Sequence, residues 1–458
     1  MKKLHKIAYS AGSLGTALSY QAFSAYIQFF YIDVLGLAAT LIGAGWTAYG
    51  IWNAINDPWA GQLSDRTRTR WGRRRPWIAG LTLPLAISFV LLWTPPTGWR
   101  KMPLFWYFLI NVLVFDTLWT FVIMNWTALF PEMYPDSGER AEVSGWRQLF
   151  SVLGLILGVA LTPLIYATLG WGGMGILFGT ITAASLLVSL LGSRERPEFS
   201  MEEPLPFSEA LKATLANRSF LWFLVTNLFV QFVFLMLAAV VPFYAKYVLG
   251  IRAPLGVFLF GARLGLDPGL QTSLLLGAAF LVSLPMLYLW TRLAQRYGAR
   301  QALMAACLVF ALALIPLFLA TNFWSGIVAT ASMGIGLAGL LMLTDLLIAD
   351  VVDEDELTTG VRREGMFFGM NGFIIRFAYS MQGLILGNVL AVTGYSADLV
   401  EQPASAVAGI RFLMAGIPMI ALLIAFLAAH AYPLHGKRLA QIKAEVERLH
   451  REKAQRLA

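Results

Sequence analysis

The residues best placed to do chemistry stand inside apolar stretches. Asp57 lies about two turns before the polar end of one such stretch, with Asn53 one turn earlier and Asn56 adjacent. The i, i+4 spacing puts Asn53 and Asp57 on one helix face. A charge at mid-bilayer costs about 2.5–3.5 kcal/mol on insertion scales, so an ionisable residue there is functional by default. A hard cation such as sodium takes several oxygen ligands and a counter-charge, part of which an Asp among amides supplies. Alternatively Asp57 carries a proton, because burial disfavours a bare carboxylate. The plain alternative is a packing acid paired with a basic residue across the bundle. Asp116 is a second intramembrane acid, which pairs with Arg376 or serves as a second proton site. Tyr20, Gln21 and Tyr26, with Trp126 and Thr127, are candidates to line a substrate cavity, since aromatic faces stack on flat apolar surfaces and amides read hydroxyls. Aromatic residues are abundant here at 13%, and many in membrane proteins are packing or interface anchors.

The elements that must position these residues follow from composition. Of 458 residues, 58% are hydrophobic and 13% charged, against about 45–50% and about 25% in soluble domains. Mean hydropathy is +0.67. A soluble single-core protein, a nucleic-acid-binding domain and a disordered chain are poor fits. Twelve stretches reach the roughly 20 apolar residues a spanning helix needs: about 7–31, 39–63, 76–96, 103–131, 144–169, 171–192, 219–247, 269–291, 301–320, 323–349, 364–393 and 406–432. The basic start Met1–Lys6 resembles a signal peptide, but the apolar segment after it is too long and too polar to be a cleaved one. Cys307 stands alone, and His5, His430, His435 and His450 lie near the termini. Neither a disulfide framework nor a His/Cys metal site is expected, and no metal beyond sodium carried at Asp57. P-loop, HExxH and GxSxG motifs are absent, so no enzyme and no cofactor are expected.

Charge gives orientation. Arg100, Lys101, Lys246, Arg252, Arg263 and Arg411 fall on one face and Arg376 inside a span. The remaining Lys and Arg fall on the termini and even-numbered connections. The positive-inside rule then puts both termini in the cytoplasm, and the net charge of +8 marks a membrane face rather than a nucleic-acid site. Residues 193–218 form the most polar internal stretch, a cytoplasmic linker between an N-terminal half (1–192) and a C-terminal half (219–434). Residues 435–458 form an amphipathic tail expected to lie on the cytoplasmic face. The connections after spans 2 and 8 echo each other, as do those after spans 4 and 10. Such six-plus-six repeats describe the major facilitator architecture. The loop charges are candidate cytoplasmic gates: Asp65, Arg66, Arg73, Arg74, Arg75 and Arg140 in the first half, and Asp345, Asp350, Asp353, Glu356, Arg362 and Arg363 in the second. Their alternative role is to enforce topology.

Asn56-Asp57-Pro58-x-x-Gly61, Ser64-Asp65-Arg66-Thr67-Arg68 and Trp71-Gly72-Arg73-Arg74-Arg75-Pro76-Trp77 resemble the span 2–3 signature of the glycoside–pentoside–hexuronide:cation symporters, the melibiose-permease branch of the major facilitators. Tyr31–Leu37, Ala128–Glu132, Ala349–Asp353 and Arg362–Gly365 resemble other blocks of that family in order. The resemblance implies cation coupling at Asp57. Sodium-binding members carry a second Asp where this chain has Asn53, and a span 4 hydroxyl falls at or within two residues of Val122. Two sugar-contacting acids of the family fall on Ala17 and near Asn125, whereas its two cations are kept as Arg147 and Arg376. Arginine suits bidentate recognition of carboxylate or phosphate, so an acidic glycoside such as a uronide fits. The alternative is that both arginines pair with Asp57, Asp116 or Asp345 and close the bundle.

The resulting expectation is an all-α integral membrane protein of the major facilitator fold with twelve spans. It would work as a monomer in a bacterial inner (plasma) membrane. Its function would be proton- or sodium-coupled symport of a sugar or glycoside by alternating access. The rivals are a cation-coupled carrier of an amphipathic lipid and a non-transporting solute sensor, the latter disfavoured by the short tail.

Overall fold

The computed structural model describes residues 3–134, 137–195, 216–259, 262–359 and 364–457. Most of the 193–218 linker, together with Arg362 and Arg363, lies outside the described residues, as does the side chain of Asp65. Helices dominate: α1 (Lys3–Phe29), α2 (Ala39–Arg66), α3 (Arg75–Trp93), α4 (Lys101–Met133), α5 (Ser137–Leu155), α6 (Thr162–Gly192) and α7 (Arg218–Tyr247). After a two-stranded hairpin, β1 (Leu255–Leu259) and β2 (Ala262–Leu266), come α8 (Pro268–Tyr297), α9 (Ala299–Leu319), α10 (Phe323–Thr359), α11 (Glu364–Val392), α12 (Ala404–Ala431) and α13 (Gly436–Leu457).

Among the described residues, ten helices are long and apolar enough to cross a membrane. The more polar α1 and α2 are not among those ten, although they reach 27 and 28 residues. The hairpin departs from the all-α expectation. Its strands pair antiparallel, Leu255 opposite Leu266. The chain returns to helix where Asp267 Oδ1 accepts the backbone N–H of Leu270 at 2.9 Å, an N-cap satisfying one of the donors orphaned at a helix start.

The chain forms two compact units. The first gathers the described residues of Met1–Pro204, Ala238–Leu276 and Gly383–Gly409, the second those of Leu205–Leu237, Gly277–Gln382 and Ile410–Ala458. In the first, α1 packs against α5 and α6, α3 against α4 and α6, and α2 against α4. Small residues make this possible. A Cβ on Gly154 of α5 would stand 2.5 Å from the Leu14 carbonyl oxygen of α1, and one on Gly15 would stand 2.8 Å from the Thr182 Cα of α6. Helix association in lipid relies on such close backbone approach, because the bilayer is as apolar as the side chains. Gly154→Val is therefore expected to lower the thermal midpoint in detergent measurably, by an overpacking cost of about 1–3 kcal/mol. Gly145→Val is the control, since a Cβ there meets nothing within 4 Å. Equal effects at both positions would remove the argument.

In the second unit, α10 packs against α9 and α13, and α9 also against α12. The tail helix α13 is tied to the polar end of α10: Lys443 Nζ stands 3.0 Å from Asp350 Oδ1, and Arg438 Nη2 2.6 Å from Glu354 Oε1.

Candidate functional site

The polar residues of α2 and α4 meet in the interior of the first unit. Along α2, Tyr49, Asn53 and Asn56 recur at three- and four-residue intervals, and all are buried. Facing them on α4 are Asp116 and Thr120, 0% and 1% exposed. The Tyr49 hydroxyl donates to Asp116 Oδ1 at 3.0 Å, and lies 3.0 Å from the hydroxyl of Tyr20 on α1. Asn56 Nδ2 donates to Asp116 Oδ2 at 3.2 Å and to Thr120 Oγ1 at 3.1 Å. Thr120 Oγ1 in turn donates to Asp57 Oδ1 at 3.3 Å. Asn53 Nδ2 donates back to the Tyr49 carbonyl at 2.9 Å. The three residues expected around a cation thus share one neighbourhood, joined there by Asp116, Thr120 and Tyr49. Thr120 is the α4 hydroxyl in this cluster, whereas Val122 is a fully buried apolar residue. One turn of helix separates Thr120 from Asp116, which is why both face the Asn56 amide.

A second group forms nearer the polar end of α4. Trp126 is 3% exposed and donates from Nε1 to Ser189 Oγ of α6 at 2.7 Å. Tyr9 of α1 stacks on it with centroids 5.3 Å apart. The Arg147 guanidinium of α5 lies 4.7 Å from the Trp126 ring and 4.6 Å from the Phe130 ring. No hydrogen bond or ion pair engages Arg147 among the described residues, and its Nε is buried without a partner. A half-buried guanidinium near two aromatic rings, with its Nε unpaired, has donors to offer an anionic or polyhydroxyl ligand.

Other sequence candidates are placed differently. Asn125 accepts from Ser64 Oγ at 2.5 Å and donates to the Phe121 carbonyl at 2.8 Å, so its amide joins α2 to α4. Tyr26 is fully buried and donates to the Val159 carbonyl at 2.5 Å. The exposed Thr127 donates to the Ile123 carbonyl of its own helix. Tyr20 faces Trp119 with centroids 4.3 Å apart. Gln21 is half-buried on α1, near Gly158. Arg376 is half-buried on α11 in the second unit.

Several charges at the basic end have partners in the first unit. Arg73 Nη2 and Arg74 Nε both reach Glu132 Oε1, at 3.0 and 2.9 Å. The Glu195 carboxylate accepts the backbone N–H groups of Arg73, Arg74 and Arg75 at 2.6, 2.7 and 2.6 Å. It caps the start of α3, where both orphan donors and the helix dipole favour an anion. Arg140 Nε donates to the Tyr134 carbonyl, and Arg66 is exposed. Lys6 bridges Glu142 and Glu139 at 2.8 and 2.9 Å. These bonds hold its ammonium pKa above the ordinary range and that of Glu139 below its own. In the second unit Asp345 is exposed, Asp353 half-buried, and Asp350 and Glu356 buried.

At the far end of α1 stands a group that residue types and spacing did not suggest. Asp33 sits in a π-helical turn, Phe30–Val34. Its carboxylate accepts Lys246 Nζ at 2.6 Å and the hydroxyls of Tyr247 and Tyr395, each at 2.5 Å. The available signal was an acid at a span end on the same face as Lys246. Asp33→Asn is expected to destabilise the first unit by about 1.5–3 kcal/mol, the range for hydrogen bonds to charged groups. A thermal melt compared with wild type measures it, and an unchanged midpoint would show the group to be incidental.

Residues 8–436 match the MFS/sugar transport protein family. The isoprimeverose transporter of Lactiplantibacillus pentosus is 25% identical over 429 residues, which cover 91% of this chain and 85% of that protein. The glucuronide carrier protein homolog of Escherichia coli is 25% identical over 451 residues, covering 96% and 94%. Among solved structures, the nucleoside transporter NupG superposes with a TM-score of 0.64 at 13% identity over 94% of this chain and 100% of that one.

Proposed function

We propose, from the premise that this chain belongs to the MFS/sugar transport protein family, that it is a secondary transporter coupling movement of a sugar or glycoside to a sodium ion or proton. Asp57, Asn53 and Asn56 hold the cation, with the Thr120 hydroxyl beside them. The substrate binds toward Arg147 and Trp126, with Tyr20, Gln21 and Arg376 further candidates. The carrier rocks between two states around sites near the membrane midplane, as alternating access requires. Twelve spans in two six-helix halves, basic ends in the cytoplasm, a bacterial plasma membrane and a monomeric carrier complete the reading.

The single observation that carries it is the α2–α4 cluster. The Asp57 carboxylate accepts the Thr120 hydroxyl, and Asp116 accepts the Tyr49 hydroxyl and the Asn56 amide, inside a helical bundle where an uncompensated charge is costly. Arg147 favours an acidic glycoside, because a guanidinium offers two parallel donors to a carboxylate. A relative described as a glucuronide carrier homolog supports that substrate class, and one described as an isoprimeverose transporter supports a neutral glycoside.

Uptake into proteoliposomes, with neutral glycosides and uronides tested in parallel, decides the matter. The expected result is accumulation of one substrate driven by an inward sodium or proton gradient. Uptake that ignores both gradients would make the protein a facilitator. No uptake of any glycoside would raise the lipid reading to first place.

A further inference from the structure

The first unit is not built from the first half of the sequence alone. It takes in Ala238–Leu276 and Gly383–Gly409, which carry the last turns of α7, the start of α8 and the end of α11. These segments meet the earlier helices where α1 ends and α2 begins, at the end opposite the basic loops. Three seams form there. Phe29 of α1 meets Phe243 of α7 edge to face, with centroids 5.0 Å apart. Between α2 and α11 the backbones touch: a Cβ on Gly387 would stand 2.6 Å from the Ala39 carbonyl oxygen and 3.1 Å from the Gly43 Cα. Between α6 and α8, the Leu164 backbone N–H donates to Ser273 Oγ at 3.1 Å.

Asp33 closes over these seams. Its side chain is 1% exposed. Its three donors, Lys246 Nζ and the hydroxyls of Tyr247 and Tyr395, all come from the two later segments. One carboxylate thus ties the end of α1 to the end of α7 and to the turn after α11. Two features mark a contact built to part. The Lys246 side chain is 38% exposed, so water is at hand to replace the carboxylate, and a hydrogen bond exchanged for water costs little net energy. The Gly43–Gly387 seam is backbone against backbone, which separates with no interlocked side chains to repack.

We propose that Asp33 is the latch of an outer gate: with Lys246, Tyr247 and Tyr395 it holds the carrier closed on the side opposite the basic loops, and it releases when substrate enters from that side. The proposal rests on the alternating-access reading above and goes beyond it by naming the residues that set how often this end opens. Asp33 lies 13 residues beyond Tyr20 on the α1 path, about 20 Å at 1.5 Å per residue. It therefore acts on the balance between states, not through contact with a ligand. Removing a bond made only in the closed state raises the open fraction with or without substrate.

The test is labelling of Gly43→Cys by a membrane-impermeant maleimide in right-side-out vesicles. A Cβ at Gly43 comes no closer than 3.7 Å to its nearest neighbour, the Leu384 carbonyl oxygen. The cysteine therefore fits the closed seam and is reached when the seam opens. Native Cys307 is buried, and the chain without the reporter gives the background. Adding Asp33→Asn is expected to speed labelling about tenfold, equivalent to one hydrogen bond to a charged group lost from the closed state. Tyr395→Phe leaves the Asp33–Lys246 pair in place. It is expected to speed labelling several-fold and keeps the test open if the Asp33 variant does not fold. Unchanged labelling in both variants would overturn the proposal even if the melting temperature falls, because a merely structural bond lowers stability without opening the seam. Faster labelling in inside-out vesicles alone would overturn it too, since the latch would then face the cytoplasm. Faster labelling in right-side-out vesicles, together with uptake that ignores both ion gradients, would uphold the latch and overturn only the symport reading.

Discussion

Asp57→Asn is expected to abolish gradient-driven accumulation while leaving exchange of substrate at equal concentrations on the two sides. Coupling between two ligands is a free energy shared by their sites, typically about 1–3 kcal/mol, or 5–150-fold in affinity. A carrier that loses the cation's charge partner loses that linkage. Substrate then equilibrates without being concentrated. The substitution is nearly isosteric, and Thr120 Oγ1, 3.3 Å from Asp57 Oδ1, keeps an amide oxygen to donate to. The helix interface should therefore survive, and a thermal melt close to that of wild type would show it. Accumulation and exchange measured on the same proteoliposomes separate the two roles. If both fall together and the melt falls with them, Asp57 is a packing acid. If accumulation persists, the cation binds elsewhere.

The architecture was legible because membrane insertion writes it plainly. Runs of apolar residues near the length of a spanning helix have few other readings. The helices α3 to α12 bear that out to within several residues at most ends. The hairpin at Leu255–Leu266 was not legible, since a short extended stretch between two long helices leaves no periodic signal beyond a few residues. The α2–α4 polar cluster was half legible. Asp57, Asn53 and Asn56 lie on one element, and local spacing alone brings them together. Thr120 and Asp116 belong to a different helix, and only packing says which of its faces meets α2. A shift of two residues, between Val122 and Thr120, moves a side chain by more than half a helical turn. Asp33 shows the same limit more sharply. Its three partners, Lys246, Tyr247 and Tyr395, stand more than two hundred residues away in sequence. Glu195 was hidden for another reason: it binds backbone N–H groups, which no residue-type pattern reports. The loop charges were legible as a cluster, but their partners were not. Arg73 and Arg74 share Glu132 within their own unit, and the tail helix α13 occupies Asp350.

Arg147→Lys tests the substrate side, and its effect should depend on the substrate. The guanidinium carbon lies 4.7 Å from the Trp126 ring and 4.6 Å from the Phe130 ring, and the Arg147 Nε is without a partner among the described residues. A carboxylate bound there takes two parallel hydrogen bonds. Lysine keeps the charge but is a compact point donor without the planar fork or the stacking face. Hydrogen bonds to charged groups contribute about 1.5–3 kcal/mol each, so losing one of two costs about ten- to a hundredfold in kcat/KM for a uronide. A neutral glycoside has no carboxylate to lose. Its decline should stay within the smaller stacking contribution, about 0.5–2 kcal/mol. The discriminating quantity is therefore the ratio of uronide to neutral glycoside uptake, which is insensitive to how much protein is inserted. A ratio that drops at least tenfold assigns Arg147 to the carboxylate. A ratio that stays constant while both rates fall makes Arg147 a packing cation between α4 and α5, and the acidic-substrate reading then loses its main support. Arg147→Gln sharpens the outcome, because it removes the charge while keeping a polar head. Under the anionic reading it should fall further than Lys on the uronide, and under the packing reading the two variants should fall alike on both substrates.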